Sequence, residues 1–140
     1  MLSGQIEGLQ VELIDTAYHQ GESNEVAYRV ATGMAISKGL QKAGALILEP
    51  IMNVTIISPV DFIGDIIGDI NVRRGRVIEI RTMGQKQEIL AEIPLNEMFG
   101  YSTRIRSLSQ GRAVFTMEFK KYEKIPLQLQ QNLLKKIRGY

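Results

Sequence analysis

Helical spacing of apolar residues changes to strand alternation between Pro94 and Phe119, and the rest of the chain is organised around this stretch. Asn96 is placed to cap the helix, because its side-chain oxygen can accept from an unpaired amide, and Glu97 suits the positive end of the helix dipole. The predicted buried stripe contains Met98, Tyr101, Ser102, Ile105 and Leu108. Gly111 predicts the left-handed residue that ends the helix. The strand after it has an apolar face of Ala113, Phe115, Met117 and Phe119.

The beginning of the chain predicts one strand and one helix joined by a loop. The strand pattern consists of Leu9, Val11 and Leu13. The loop carries His19, and Ser23 then reads as the cap of a helix that continues to Ala43. A single strand and a single helix leave an apolar face and open edges, so this segment cannot close a core of its own.

A second unit is predicted from residue 49. Its first strand alternates at Met52, Val54 and Ile56. Ser58 is the predicted cap of the following helix, and Gly75 is its predicted end. The buried face of that helix comprises Ile63, Ile66, Ile67 and Ile70. A tight turn over residues 84–86 then joins two further strands into a hairpin.

The order of these elements predicts the fold class. Strand, helix, strand, strand, helix, strand is the ferredoxin-like βαββαβ arrangement, an antiparallel four-stranded sheet with two helices on one face. We therefore predict an α+β chain with a ferredoxin-like domain over residues 49–126. A partial β-α half-domain over residues 1–48 precedes it, and a C-terminal helix over residues 127–140 follows.

Composition narrows the class of protein without assigning a function. The 140 residues are 44% hydrophobic and 23% charged, and their net charge of +2 neither requires nor excludes a nucleic-acid partner. The chain has no cysteine, which excludes disulfides and thiolate metal sites. Its apolar runs are shorter than the roughly 20 residues that span a bilayer. We expect a soluble cytoplasmic protein without a membrane partner.

Pattern alone gives the charged candidates ordinary structural roles. Asp69 precedes Arg73 by one turn and can pair with it, while Arg73 and Arg74 suit the negative end of a helix dipole, with RNA contact as a secondary role. Asp61, Asp65 and Asp69 recur every fourth residue, but one helical row cannot surround a metal ion, so a solvated acidic face is predicted.

Three further candidates are equally ordinary by pattern alone. The lone His19 lacks the cysteines or clustered acids that would make a metal or nucleophile site, which favours a solvated loop residue. Arg106 and Ser107 read as exposed helix residues.

Four runs of sequence carry a resemblance to a known family. Three of them strongly resemble the C-terminal domain of translation elongation factor G, the ribosomal translocase: LEPIMNVTIISP from Leu48, GDINVRRG from Gly68, and PLNEMFGYSTRIRSLSQGRAVFTMEF from Pro94. The run AYHQGESNEVAYRVATGMAISKGLQKA, from Ala17, is similar to the second half of that family's preceding, fourth domain. The resemblance implies a ribosome-binding module of a translational GTPase that contributes to movement of tRNA and mRNA during elongation.

The resemblance also implies RNA contacts. His19 matches a histidine at the family's tip, so the loop over residues 15–24 is expected at the decoding region of the small subunit. Arg106 and Ser107 match the Arg-Ser pair, with Gln110 just beyond, by which the domain approaches the sarcin–ricin loop of large-subunit RNA. A guanidinium and a hydroxyl suit phosphates and unstacked bases. The stalk base is a further implied partner.

Several residues are secondary RNA candidates or departures from the family pattern. Arg73, Arg74 and Arg104 are expected as secondary contacts, and Arg104 stands where the family often has an acidic or uncharged residue.

No G-x-x-x-x-G-K-[ST] phosphate loop occurs, so the chain alone is expected to be neither an enzyme nor a binder of cofactors. GTP and magnesium belong to a domain that has no counterpart here. The sequence is thus expected to be an excised piece or a truncated gene product.

Two other function classes remain open at this point. An enzyme of the acylphosphatase kind uses the same βαββαβ frame, with an arginine and an asparagine around a bound phosphate, and a hydrolysis assay would reveal it. A ligand-sensing or oligomerising ferredoxin-like module is the other, because that fold serves many unrelated tasks. Self-association is also expected. The predicted strand over residues 9–14 lacks a pairing strand, and the apolar stripe of the first helix (Val26, Val30 and Met34) would be buried in a weak homodimer.

Overall fold

The computed structural model describes residues 6, 8–44 and 46–138, and side chains up to residue 136. The chain divides into two compact units. One comprises Ile47–Pro126, and the other takes the residues before and after it. In chain order the elements are α1 (Glu25–Ala43), β1 (Leu48–Pro59), α2 (Ile63–Val72), β2 (Arg76–Met83), β3 (Lys86–Pro94), α3 (Tyr101–Leu108), β4 (Val114–Lys124) and α4 (Leu127–Arg138).

The unit over Ile47–Pro126 contains one four-stranded sheet in the order β2-β3-β1-β4. Every pairing is antiparallel, with β1 in the centre between β3 and β4. The predicted hairpin is present, because β2 pairs with β3 through a turn at which Gly84 adopts a φ of 65°. Together with α2 and α3, this topology confirms the predicted ferredoxin-like fold.

Alternation along the two central strands builds the core. Residues at every second position are buried on the side that meets the helices: Met52, Val54 and Ile56 on β1, and Ile89, Ala91 and Ile93 on β3. The helices add Ile63, Ile66 and Ile70 from α2, and Tyr101 and Ile105 from α3. Phe115 of β4 closes the layer with its ring 5.0 Å from that of Tyr101, edge to face.

The apolar faces predicted for α3 and β4 are only partly buried. Ser102 is exposed and Leu108 is half-buried, so the stripe on α3 is narrower than expected. On β4 the core extends to Phe115, whereas Met117 and Phe119 are 42% and 52% exposed. A bulge between the pairs of Ile51 and Met52 also breaks the alternation near the end of β4.

All three predicted helix caps are wrong. Asn24, and not Ser23, caps α1, with its side-chain oxygen accepting from the Ala27 amide at 2.8 Å. Ser58 lies within β1 and is fully buried, because the strand continues to Pro59 and a 3-10 turn precedes α2. Asn96 lies in a similar 3-10 turn, and α3 begins after Gly100. In both later cases an extra tight turn delays the helix by several residues.

Both helices of the sheet unit end in the same backbone motif, and Gly111 is left-handed as predicted, with a φ of 78°. The amide of Gly75 donates to the Ile70 carbonyl at 2.8 Å, and the amide of Gly111 donates to the Arg106 carbonyl at 2.8 Å. These are the outer hydrogen bonds of Schellman motifs. In each motif the residue before the glycine is left-handed: Arg74 has a φ of 57° and Gln110 a φ of 52°.

The other unit supplies two helices. The first of them, α1, has no buried residue, and Gly44 ends it with a φ of 74°. The strand predicted over residues 9–14 is not formed, because the segment has no partner strand among the described residues. Its apolar side chains are exposed, Leu13 by 81% and Ile14 by 90%. Among the described residues, no helix has the length and apolar character required to cross a membrane.

Candidate nucleic-acid interface

The end of α3 presents three of the predicted RNA-contact residues together. Tyr101 and Ile105 face the core, so Arg106 and Ser107 lie on the exposed side of the helix. Gln110 is exposed in the turn that follows. The hydrogen bond between the Gly111 amide and the Arg106 carbonyl folds that turn back against the last helical turn. A guanidinium, a hydroxyl and an amide are thereby held within one short segment of surface.

Ser109 fixes this turn from the inside and was missed by the sequence interpretation. Its side chain is fully buried, its hydroxyl donates to the Ile105 carbonyl at 2.7 Å, and the hydroxyl oxygen accepts from the Ala113 amide at 3.0 Å. The backbone carbonyl of Ser109 also accepts from the Arg112 amide at 3.0 Å. A serine just before the left-handed residue was the available signal, because a buried hydroxyl can satisfy amides that the helix end leaves free.

Arg73 and Arg104 share one buried carboxylate. Asp69 of α2 accepts from Arg73 Nε at 2.9 Å and from Arg104 Nε at 3.2 Å. The first contact confirms the predicted pair, but Asp69 is only 8% exposed and so does not belong to a solvated acidic face. Arg73 also donates to the Glu97 carbonyl and stacks 4.9 Å from the centre of the Tyr101 ring. Arg104, by contrast, keeps 53% of its side chain exposed.

The ring of Tyr101 places its hydroxyl in the interior. Burial, reinforced by the negative charge of Asp69, raises the pKa of this hydroxyl well above its ordinary value. The oxygen has no hydrogen-bond partner among the described residues. Tyr101 is therefore a neutral core residue that supports the Arg73 guanidinium, and it takes no part in the exposed surface.

Arg74 ties the end of α2 to two other parts of the sheet unit. Its guanidinium makes a two-point ion pair with Glu49 at the start of β1, both distances being 2.9 Å, and Nε reaches Glu97 at 3.1 Å. Glu49 is almost fully buried. Hydrogen bonding to Glu49 raises the pKa of Arg74 above its already high ordinary value, so the guanidinium stays charged. All three nitrogens of the Arg74 guanidinium thus donate to carboxylates within the protein.

A third buried carboxylate, that of Glu92, lines a surface cleft of the sheet unit. Glu92 of β3 accepts from Arg76 at 2.8 Å and from Lys120 of β4. The hydrogen bond from Lys120 is the main cause that lowers the pKa of Glu92. The cleft, of about 320 Å³, is lined by Glu49 and Arg74 as well as by Glu92 and Arg76. Glu49 pairs with Arg74 and Glu92 pairs with Arg76, so these two arginines are not free to converge on a phosphate.

His19 lies in a separate and local structure ahead of α1. Its backbone amide donates to the Ser23 hydroxyl at 2.7 Å, and its carbonyl accepts from the amides of Glu22 and Ser23. Gly21 supplies a φ of 83° inside this loop. His19 itself is exposed, and no group of metal-binding side chains occurs in the described part of the chain. The loop presents His19 to the surroundings as a single polar side chain.

Comparison with known proteins identifies the family. The family model described as elongation factor G C-terminus matches residues 46–133, which include the whole sheet unit up to Pro126. The chain belongs to the elongation factor G C-terminus family. It is 44% identical over 131 residues to elongation factor G 2 of Desulfotalea psychrophila. That match covers 94% of this chain and 19% of the relative.

A solved structure supports the same assignment. A crystal structure of a protein from Thermus thermophilus superposes with a TM-score of 0.73 at 29% identity, covering 89% of this chain and 19% of that one. This elongation factor G C-terminal segment therefore spans about a fifth of the length of these relatives. The resemblance read from the run PLNEMFGYSTRIRSLSQGRAVFTMEF is confirmed, and this run contains α3 and the turn that follows it.

Proposed function

We propose that the chain is the ribosome-binding C-terminal part of a translation elongation factor G-like GTPase and contributes to movement of tRNA and mRNA. The observation that carries the proposal is the family match over residues 46–133, which contains the exposed group Arg106, Ser107 and Gln110. In this proposal the chain acts in the cytoplasm and hydrolyses no GTP itself, because it has no phosphate loop.

The large-subunit contact is assigned to the end of α3. Arg106 offers a fork of donors for phosphate or base edges, Ser107 a hydroxyl, and Gln110 an amide that can both donate and accept. All three are exposed, whereas Arg73 and Arg74 are committed to Asp69, Glu49 and Glu97. We therefore assign the sarcin–ricin loop to the α3 group and leave Arg73 and Arg74 with structural roles. Arg104 can add positive charge at the flank, and the stalk base is a further proposed neighbour.

A binding measurement tests this assignment. Arg106→Ala should weaken binding to an RNA hairpin with the sarcin–ricin loop sequence by about 1 kcal/mol, roughly five-fold. Arg81→Ala is the matched control, since it removes the same charge from an exposed arginine on β2. If both variants bind the hairpin as tightly as the unmodified chain does, the α3 group does not carry the affinity. Loss of the same affinity in both would point to net charge alone.

The loop that carries His19 is assigned to the decoding region of the small subunit. Its support is the exposure of His19 in a locally hydrogen-bonded loop. Because the chain has no cysteine, His19→Cys gives a single attachment point for a crosslinker. Crosslinks to small-subunit RNA near the tRNA–mRNA region are expected. Crosslinks confined to other parts of the ribosome would contradict the assignment.

We also propose weak self-association of the isolated chain. The support is the exposed apolar surface of residues 9–14 and of α1, where Val26, Val30 and Met34 are each more than half exposed. Sedimentation velocity should show a concentration-dependent dimer for the whole chain and a monomer for a version that begins at Leu48. If both sediment as monomers at every concentration, the exposed segment does not pair.

A further inference from the structure

The turn after α3 contains an unusual choice of residue. In a Schellman motif the left-handed position is normally occupied by glycine, because a side chain there crowds the backbone. Here that position is Gln110, with a φ of 52°, and the glycine follows at position 111 with a φ of 78°. Two successive residues are thus left-handed, and the first of them carries a long polar side chain.

Arg74 occupies the equivalent position after α2 and shows how such strain can be offset. Its left-handed backbone aims the guanidinium at Glu49 and Glu97, which accept three hydrogen bonds from it. Gln110 has no such compensation, since no side-chain hydrogen bond of Gln110 occurs within the described residues. The backbone of Gln110 takes part in the turn, but its side chain makes no hydrogen bond among the described residues of the sheet unit. Strain of this kind is typical of binding sites.

The restraint on Gln110 comes from its neighbour. Ser109 is fully buried, and its hydroxyl connects the Ile105 carbonyl in the helix with the Ala113 amide at the start of β4. The residues between these two anchor points can follow few paths. Without the hydroxyl, the Ala113 amide and the Ile105 carbonyl each lose a partner in a half-buried region, and the turn is free to relax.

We propose that Ser109 is a positioning residue that holds Gln110 in the left-handed conformation and so aims its amide at RNA. The inference rests on the proposed function, because it makes the Gln110 amide part of the sarcin–ricin contact. Ser109 itself touches no RNA, since it is buried. Its effect on RNA binding passes entirely through the direction of the Gln110 side chain.

A double-mutant cycle separates this role from a merely structural one. The probe is an RNA hairpin with the sarcin–ricin loop sequence, and the variants are Ser109→Ala, Gln110→Ala and the two combined. Each single change should weaken binding about five-fold, as expected for one lost hydrogen bond. The combined variant should be no weaker than Gln110→Ala alone, because Ser109 then has nothing left to position. Ser102→Ala, an exposed serine on the same helix, is the control and should bind normally.

A conformational readout accompanies the binding data. The NOE between the amide proton and Hα of residue 110 is strong at positive φ, and it should weaken in Ser109→Ala. Should that variant fail to fold, Gly111→Ala strains the same turn, because the site offers space for a methyl group but keeps a φ of 78°. Gly111→Ala combined with Gln110→Ala should bind the RNA hairpin no more weakly than Gln110→Ala alone.

The outcomes are distinguishable. Losses that multiply in the combined variants, or an unchanged NOE and unchanged affinity in Ser109→Ala, would overturn the role of Ser109. Absence of RNA binding by the unmodified chain, or full binding by Arg106→Ala, would instead overturn the proposed function.

Discussion

Replacement of Arg74 by alanine or glycine would separate two contributions that meet at one residue. Arg74 holds a left-handed backbone and makes a two-point ion pair with Glu49, which is only 3% exposed. Alanine removes the ion pair and keeps a Cβ in the strained conformation. Glycine removes the ion pair as well but relieves the strain. The difference between the two variants therefore measures the backbone term alone.

The structure sets the size of both terms. Loss of a partner from a buried carboxylate costs about 3 to 5 kcal/mol, and the partial exposure of Arg74, 29%, places this site at the lower end of that range. We expect Arg74→Ala to lower the free energy of unfolding by about 3 kcal/mol. A left-handed L-residue costs about 1 to 2 kcal/mol more than glycine, so Arg74→Gly should be less destabilised by about 1 kcal/mol.

Urea unfolding followed by far-UV circular dichroism would measure both variants. Arg81→Ala is the matched control, because Arg81 also makes a two-point ion pair, with Glu79 at 2.9 Å for each contact, but both side chains are exposed. Its unfolding midpoint should stay close to that of the unmodified chain. If Arg74→Ala behaves like Arg81→Ala, the buried pair contributes little and the burial argument fails. If glycine is no better than alanine, the left-handed strain at residue 74 is negligible.

Two further predictions concern the same unit. A Cβ at Gly75, just after α2, would lie 2.6 Å from Ile70 Cγ2, so Gly75→Ala should lower the free energy of unfolding by about 2 kcal/mol. Gly68→Ala, in open space within α2, should not lower it, and equal stability of the two variants would refute the steric reasoning. The pKa of Glu92 is lowered below its ordinary value of 4.5, mainly by Lys120, so its ionised form stabilises the fold above that pH. That stability is lost as pH falls through the lowered value, and Glu92→Gln should flatten the acid limb of a stability–pH profile; an unchanged acid limb would show that Glu92 is not its source.

Much of the sheet unit could be predicted because its pattern is strictly periodic. Alternation at Met52, Val54 and Ile56 fixes the face of β1, and the spacing of Ile63, Ile66 and Ile70 fixes that of α2. The failures lie where local rules compete. Asn96 is a good cap by type, yet a 3-10 turn intervenes and leaves the helix to start after Gly100. Periodicity also predicted a strand over residues 9–14, for which the described part of the chain offers no pairing strand.

The candidate site was predictable in a different way. Nothing in the periodicity of α3 distinguishes Arg106 from Arg104, and only the family resemblance singled out Arg106, Ser107 and Gln110. The structure shows which arginines form ion pairs. Arg104 pairs with the buried Asp69, while Arg106 does not lie among the described ion pairs. Pairing of this kind depends on residues 35 positions apart and cannot be read from local spacing. Ser109 escaped notice for the same reason, since its role depends on burial.

The two Schellman motifs have the same backbone geometry but direct the side chain of the left-handed residue differently. The fold places a helix end at equivalent points after α2 and α3, and at both points glycine stands one residue later than the left-handed position. After α2, close packing explains the displacement, because Gly75 meets Ile70 and Ile93 at distances that exclude a Cβ. The left-handed residue is then Arg74, whose guanidinium forms an ion pair with the buried Glu49. After α3, no neighbouring atom lies within 4 Å of a Cβ at Gly111, so its own φ of 78°, and not packing, accounts for the glycine there. The Gln110 side chain makes no hydrogen bond among the described residues, and a left-handed residue with an exposed polar side chain is typical of a binding site.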